Sequence, residues 1–328
     1  MVLLGTGFLY DVTDPVHPKL LCKIANTSAH IFTGDTVTYL KADSAAATAV
    51  ILHSMGSGNE SVATHIPTAN LESASTWWAS DGSVAAEAIM PTNPSAGDKV
   101  QLWVHTPSFT GVIDSYLFPL TDCICRFGIP PAVLAISPDH QYLVAGWPFK
   151  GAAPLIVYRL SDRSRAYTFD PTFRAALWDK TGHRLFATGN SGSASWTPES
   201  GLVQLSGAGR LEFLPGLSPD ASQIAFSAYL ADSDPTSLRV FVYDVKTDKV
   251  RMLRDALRSQ AVFVKDGWVW YLEEGTCDAS DATCPPWRTK PTGKVQAMNL
   301  ADGVERQVDF QYAEDANGLL PGEYWPSS

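Results

Sequence analysis

Two phrases in this chain repeat one another: Ile136-Ser-Pro-Asp-His-Gln-Tyr-Leu-Val-Ala145 and Leu217-Ser-Pro-Asp-Ala-Ser-Gln-Ile-Ala-Phe226. In each, an apolar strand ends, a tight turn reverses the chain, and a second apolar strand follows. Pro presets φ for such a turn, Asp caps it, and Gly accepts positive φ. Looser copies stand at Phe32-Thr-Gly-Asp35, Ala79-Ser-Asp-Gly82, Asp179-Lys-Thr-Gly182 and Val264-Lys-Asp-Gly267. Aligning Asp35, Asp81, Asp139, Thr181, Asp220 and Asp266 gives spacings of 46, 58, 42, 39 and 46. A recurrence about every 40–60 residues is the mark of a repeat architecture, in which each unit buries its apolar face against the next. The repetition also makes these Asp residues markers of turns rather than of chemistry.

A second type of hairpin alternates with the first. It is read at Phe8–Thr13 with Lys19–Ile24, Val50–His53 with Ser61–Ile66, Val100–His105 with Val112–Phe118, and Leu155–Leu160 with Arg165–Phe169. Three more are read at Leu202–Leu205 with Arg210–Leu214, Leu238–Val245 with Lys249–Leu253, and Val295–Leu300 with Val304–Val308. Short strands, turn chemistry between them and no long helical periodicity predict an all-β chain. The interleaved hairpins predict a β-propeller of four-stranded antiparallel blades, with strands a to d running from inside to outside. The first hairpin type is a–b and the second c–d. Full blades are expected at about 29–67, 69–120, 131–170, 173–214, 215–254 and 259–308 of a single domain. Residues 1–25 supply only a c–d hairpin, so a seventh blade would be completed by the closing segment 309–328. The alternative is six full blades and a partial one.

The phrases around Ser137-Pro-Asp139 and Ser218-Pro-Asp220, with the following strands Ile156–Leu160 and Val240–Val245, resemble the repeats of TolB-type, WD-repeat-like propellers. Arg159 departs from the pattern, which has an acidic residue after Tyr158, and the 69–120 blade has a long linker. The resemblance implies the fold across nearly the whole chain. It implies no single function, because such propellers serve as interaction modules, gates and enzymes.

The net charge of −10 argues against nucleic acid or an anionic membrane as partner. No apolar run approaches the roughly 18 residues of a membrane span. Met1-Val-Leu-Leu-Gly shows no signal peptide. A cytoplasmic protein and a trimmed extracytoplasmic one, periplasmic or secreted, both fit, and the start inside a blade favours the second. Of the five cysteines, Cys277 and Cys284 flank a short polar loop that a local disulfide could close, while Cys123 and Cys125 are too close to bridge.

No nucleophile elbow, zinc motif or phosphate loop is present; Gly189-Asn-Ser-Gly-Ser193 ends in the wrong residue for the elbow. Asp232-Ser-Asp234 and Asp278-Ala-Ser-Asp281 lack the spacing of a calcium loop, so no metal and no cofactor is expected. His30 and His183 lie near strand starts and read as ordinary surface or core residues. Loop length says more. The a–b turns are tight, whereas b–c loops at 90–98, 147–153, 189–196, 230–236 and 273–292 and d–a loops at 67–73, 119–131 and 254–259 are long. These share one end of the blades, around the expected channel mouth, where insertions gather at binding faces. Arg126, Trp147, Lys150, Phe173, Arg174, Arg258, Trp287 and Arg288 stand there, with Phe149, Arg254 and Lys290. Arg with aromatic residues suits carboxylates and sugar acids. The leading expectation is a non-catalytic propeller that binds a protein, peptide or acidic glycan. The alternative is a propeller enzyme, a lyase or hydrolase acting on an acidic polysaccharide or ester.

Overall fold

In the computed structural model the described residues are 2–3, 8–23, 30–33, 36–44, 47–54, 56–67, 73–89, 99–117, 132–146, 154–189, 192–205, 212–218, 220–230, 234–265, 267–276 and 289–310. Apart from one 3-10 turn at Pro235–Ser237, their regular structure is all strand. The strands form one three-stranded and six four-stranded sheets, each antiparallel and each built from strands consecutive in sequence.

Sheet 1 comprises β1 (Val2–Leu3), β2 (Phe8–Asp11) and β3 (Lys19–Lys23). Sheet 2 is β4 (His30–Thr33), β5 (Thr36–Ser44), β6 (Ala47–Ser54) and β7 (Glu60–Pro67). Sheet 3 holds β8 (Ser73–Trp78), β9 (Ala85–Ile89), β10 (Lys99–Thr106) and β11 (Phe109–Leu117). In sheet 4 are β12 (Ala132–Ile136), β13 (Tyr142–Gly146), β14 (Ile156–Arg159) and β15 (Ser164–Thr168). Sheet 5 contains β16 (Phe173–Trp178), β17 (Leu185–Gly189), β18 (Gly192–Thr197) and β19 (Gly201–Leu205). Sheet 6 follows with β20 (Glu212–Leu217), β21 (Gln223–Tyr229), β22 (Leu238–Asp244) and β23 (Lys249–Met252). Sheet 7 ends the series with β24 (Arg258–Lys265), β25 (Trp268–Thr276), β26 (Thr289–Asn299) and β27 (Glu305–Gln307).

Two departures from the sequence reading concern strand identity. Gly192–Thr197 is strand β18, paired with β17 through Gly189↔Gly192 to Leu185↔Trp196. The sequence reading made 189–196 a long loop and placed the c–d hairpin at Leu202–Leu205 with Arg210–Leu214. Its Gly and Ser residues resemble loop composition, yet Ala194 and Trp196 are buried between sheets, and that packing decides the conformation. Glu212–Leu214 then belongs to strand a of the next sheet. At the N-terminus, Val2↔Tyr10 and Leu3↔Leu9 pair, so that end supplies three strands rather than a c–d hairpin alone. Residues 311–328 of the expected closing segment lie outside the described residues.

The chain divides into two compact units, Asp35–Gln204 and Met1–Gly34 with Leu205–Ser328. In the first, sheet 3 packs on sheet 4 through Ala86, Leu102, Val104, Leu143 and Tyr158, and sheet 4 on sheet 5 through Val144, Val157, Phe173, Trp178 and Trp196. In the second, sheet 6 meets sheet 7 through Ala225, Val242, Ala261, Phe263 and Tyr271. Sheet 7 also packs on sheet 1, through Val262, Trp270, Leu272, Tyr10 and Val12. Both sides of the inner strands are therefore buried, as in β9 and β17. The Trp270 indole donates to Pro15 O at 3.0 Å, Lys265 Nζ to Thr13 O at 3.0 Å, and Asp309 N to Val16 O at 2.9 Å. Phe310 stands edge-on to both Tyr10 and Trp270, each at 5.3 Å between ring centres. The first sheet in sequence is thus held against the last.

The a–b turns explain the repeated phrase. Ser137 N donates to Tyr142 O, His140 N to Ser137 O, and Tyr142 N to Ser137 Oγ, each at 2.8 Å. Asp139 Oδ1 accepts from Ser137 Oγ at 2.6 Å and from Gln141 N at 3.1 Å. Ser218–Gln223 repeats every one of these bonds. In 79–84 and 179–184 the same loop recurs with Gly at its fourth position, at φ 70° in Gly82 and 78° in Gly182, where His140 and Ala221 adopt 59° and 58°. Each of these Asp side chains accepts from a backbone amide of its own turn.

Candidate functional site

The residues expected at the loop-bearing end fall into three groups. Arg126, Trp147, Phe149, Lys150, Trp287 and Arg288 lie outside the described residues. Arg174 is within β16, and only its backbone is described. Phe173 and Arg258 are described in full, one in each unit. Phe173, at the start of β16, is buried against Phe169 at 5.4 Å between ring centres, a packing position in the apolar core of its unit.

Arg258 begins β24 and is the centre of a polar network on sheet 7. Its Nη2 lies 2.6 Å from Glu305 Oε1 and its Nε donates to Glu305 Oε2 at 3.4 Å, a fork on one carboxylate. Glu273 Oε2 is 3.7 Å from Nη2 and accepts from Gln296 Nε2 at 2.9 Å, while Lys294 stands 3.8 Å from Glu273 Oε1. The Tyr271 hydroxyl donates to Glu305 Oε2 at 3.0 Å; burial, and then the Glu305 charge, hold that phenol far above its ordinary pKa. Cross-strand register puts Arg258 opposite Glu273, Tyr271 opposite Gln296, and Met298 opposite Glu305, so all share one side of the sheet. The guanidinium thus ties the short strand β27 to the start of β24. Arg254, by contrast, is exposed in the link before β24, and Lys290 is exposed near the start of β26.

Beyond the rung Leu272↔Val295, β25 and β26 continue as a two-stranded ribbon through Glu274↔Pro291, Gly275↔Lys290 and Thr276↔Thr289. The ribbon runs on beyond the rung Arg258↔Glu273 that marks the start of β24; residues 277–288, between its strands, lie outside the described residues. Cys277, Cys284 and Asp278–Asp281 lie outside the described residues. Of the other sequence candidates, Asp234 caps the 3-10 turn by accepting from Thr236 N at 2.8 Å. His183 sits within the a–b turn of sheet 5, with its Nε2 3.2 Å from Glu199 Oε2 on the surface; the side chain of His30 is not among those described.

One polar pair was not singled out in the sequence. Glu87 Oε2 and His105 Nε2 are 2.9 Å apart, and both residues are 1% exposed. Glu87 is a lone charge in the apolar run Ala85-Ala-Glu-Ala-Ile89, which was the available signal. Among the described residues, no group of three or more His, Cys, Asp or Glu could hold a metal ion, and no helix is long and apolar enough to cross a membrane.

No protein-family model matches the sequence. No curated protein matches it either. Solved structures do. The periplasmic gluconolactonase PpgL of Pseudomonas aeruginosa aligns over 94% of both chains, with a TM-score of 0.55 and 16% identity. The β-propeller domain of the Trilobed protease from Pyrococcus furiosus aligns over 88% of this chain and 99% of its own, with a TM-score of 0.46 and 16% identity. TolB from Acinetobacter baumannii aligns over 94% of this chain at 13% identity and a TM-score of 0.42. This chain spans 62% of that TolB. The fold is a seven-bladed β-propeller. Sheets 1 to 7 are its blades, the strands a to d of the four-stranded sheets 2 to 7 following chain order, and at these identities the likeness carries the fold alone.

Proposed function

We propose that this chain is a non-catalytic binding propeller whose b–c and d–a end receives a protein, peptide or acidic glycan. The supporting observation is the unequal use of the two ends of the blades. At the a–b end, four blades carry the same six-residue loop, in each of which an Asp carboxylate accepts from a backbone amide of the loop. At the other end the b–c connections differ in length, from residues 190–191 in blade 5 to residues 277–288 between β25 and β26 in blade 7. Variable connections on a constant scaffold are where binding function accumulates. This reading assigns ligand contact to Arg126, Trp147, Lys150, Arg174, Trp287 and Arg288, with Phe173 and Arg258 at the starts of strands β16 and β24.

The test is binding of the full chain to arrays of acidic peptides and uronic-acid or sulfated glycans. The triple variant R126A/W287A/R288A is expected to bind at least about tenfold more weakly with an unchanged melting temperature. Equal binding by parent and variant would refute the assignment. The reading of the chain as a hydrolase takes its support from the end-to-end alignment with a gluconolactonase; turnover of a sugar lactone would favour that reading over the first.

A further inference from the structure

The outermost strand of blade 6 differs from those of the other four-stranded blades. Every residue of β23, Lys249-Val-Arg-Met252, is exposed, and among the described residues the strand pairs with β22 alone. The outer strands β7, β11, β15, β19 and β27 carry no more than one Lys or Arg each. In a chain of net charge −10, residues 246–254 hold four cations and one acid. That acid, Asp248, accepts from the Tyr243 hydroxyl at 2.8 Å. Asp244, opposite Lys249, accepts from Thr247 N and Oγ1, each at 2.8 Å, and Asp255 is held by Arg239 at 2.9 Å. Val242 packs on sheet 7, so Arg251 and Lys249, opposite Val242 and Asp244, stand on that side of the blade. Val250 and Met252 stand on the other side, 39% and 40% exposed.

The backbone decides what such an edge can hold. Leu253 N donates to Val240 O at 2.9 Å, so these two residues form a hydrogen-bonded pair. Bonded and non-bonded pairs alternate along an antiparallel ladder, which makes Arg251 with Val242 and Lys249 with Asp244 the next bonded pairs. The N–H and C=O groups of Val250 and Met252 therefore point away from β22. An antiparallel strand added there bonds these groups, sets its apolar side chains beside Val250 and Met252, and sets the alternate ones beside Lys249 and Arg251. A second copy of β23 would bring cation against cation, which disfavours self-pairing. We propose that β23 docks an extended segment of a partner protein in which acidic and apolar residues alternate. This surface stands whether or not the loop-bearing end engages a ligand.

The test is fluorescence anisotropy of labelled peptides titrated with the full chain. The probe is an alternating Glu-Val octapeptide. An alternating Lys-Val peptide reverses its charge, and a Glu-(N-methyl-Val) peptide keeps every side chain but lacks the N–H groups that would bond β23. The probe is expected to bind saturably and at least about tenfold more tightly than either comparison. Val250→Pro removes one outward N–H and spares the bonds to β22; with its fold verified by circular dichroism, it is expected to weaken probe binding at least about tenfold. Lys249→Glu with Arg251→Glu is expected to reverse the preference toward the Lys-Val peptide. The loop variant R126A/W287A/R288A is expected to bind the probe as the parent does. The proposal is overturned by no saturable binding, by equal binding of the probe and its N-methyl form, by an unchanged preference after the charge reversal, or by loss of probe binding in the loop variant, which would put the peptide at the loop-bearing end.

Discussion

At the scale of the residue, the a–b loop shows why its sequence is legible. The loop needs a positive φ at its fourth position and two backbone amides answered by side chains, and few residue types meet those demands. Gly182 has the additional constraint of the neighbouring blade, since a Cβ there would stand 2.7 Å from Asp139 N. Gly182→Ala is expected to cost at least about 2 kcal/mol in urea denaturation, from the left-handed backbone and the overlap together. Ala221→Gly relieves the same backbone at φ 58° and is expected to be neutral or to stabilise by about 0.5–1 kcal/mol. A loss of stability in Ala221→Gly would show that the fourth position is not under strain. Glu274 gives a pH dependence. Burial raises its folded pKa, so its contribution to stability is whole below the ordinary carboxylate value and is lost as pH rises through the folded value. Melting curves across that range should therefore fall for the parent relative to Glu274→Gln, and parallel curves would contradict the assignment.

At the scale of the element, blade 7 shows what sequence alone could not reach. Arg258 reads as a cation at a loop, free for a ligand. Its partners, Glu305 and Glu273, come from strands β27 and β25, and nothing local in sequence announces them. Removing the guanidinium leaves two carboxylates facing a buried phenol. Arg258→Met is expected to cost about 3–5 kcal/mol, and adding Glu305→Leu to recover a substantial part of that, measured as a double-mutant cycle. If the two substitutions simply add, the fork on Glu305 is not the source of the cost. Strand β18 gives the complementary lesson. Its Gly-Ser composition argues for a loop, and only the burial of Ala194 and Trp196 between two sheets makes it a strand. Strands framed by strong turn residues were legible; a strand made by tertiary packing was not. The Glu87–His105 pair and the Ser259–Glu274 bond were hidden for the same reason, since each joins two strands through side chains with no sequence spacing of their own.

At the scale of the whole molecule, the recurrence of the hairpins conveys the architecture, because every blade needs the same punctuation. Which loops meet a ligand is not written in that way, since each blade contributes only a residue or two. The contact between the first sheet and the last is a property of the entire chain. Tyr10→Ala is expected to destabilise by about 3–5 kcal/mol, and its coupling to Phe310→Ala to reach about 0.5–1.5 kcal/mol in a double-mutant cycle. No coupling would mean that the ring contact at 5.3 Å does not join the two ends energetically. That contact also sets a timetable. Thr13 and Pro15 accept their bonds from Lys265 and Trp270, 252 and 255 positions later in the chain. On a ribosome adding about 5–20 residues per second, the first hairpin would wait on the order of tens of seconds for the blade that covers it. The strands made first are among the last to be buried, and through that interval Tyr10 and Val12 are apolar surface open to chaperones or to another nascent chain.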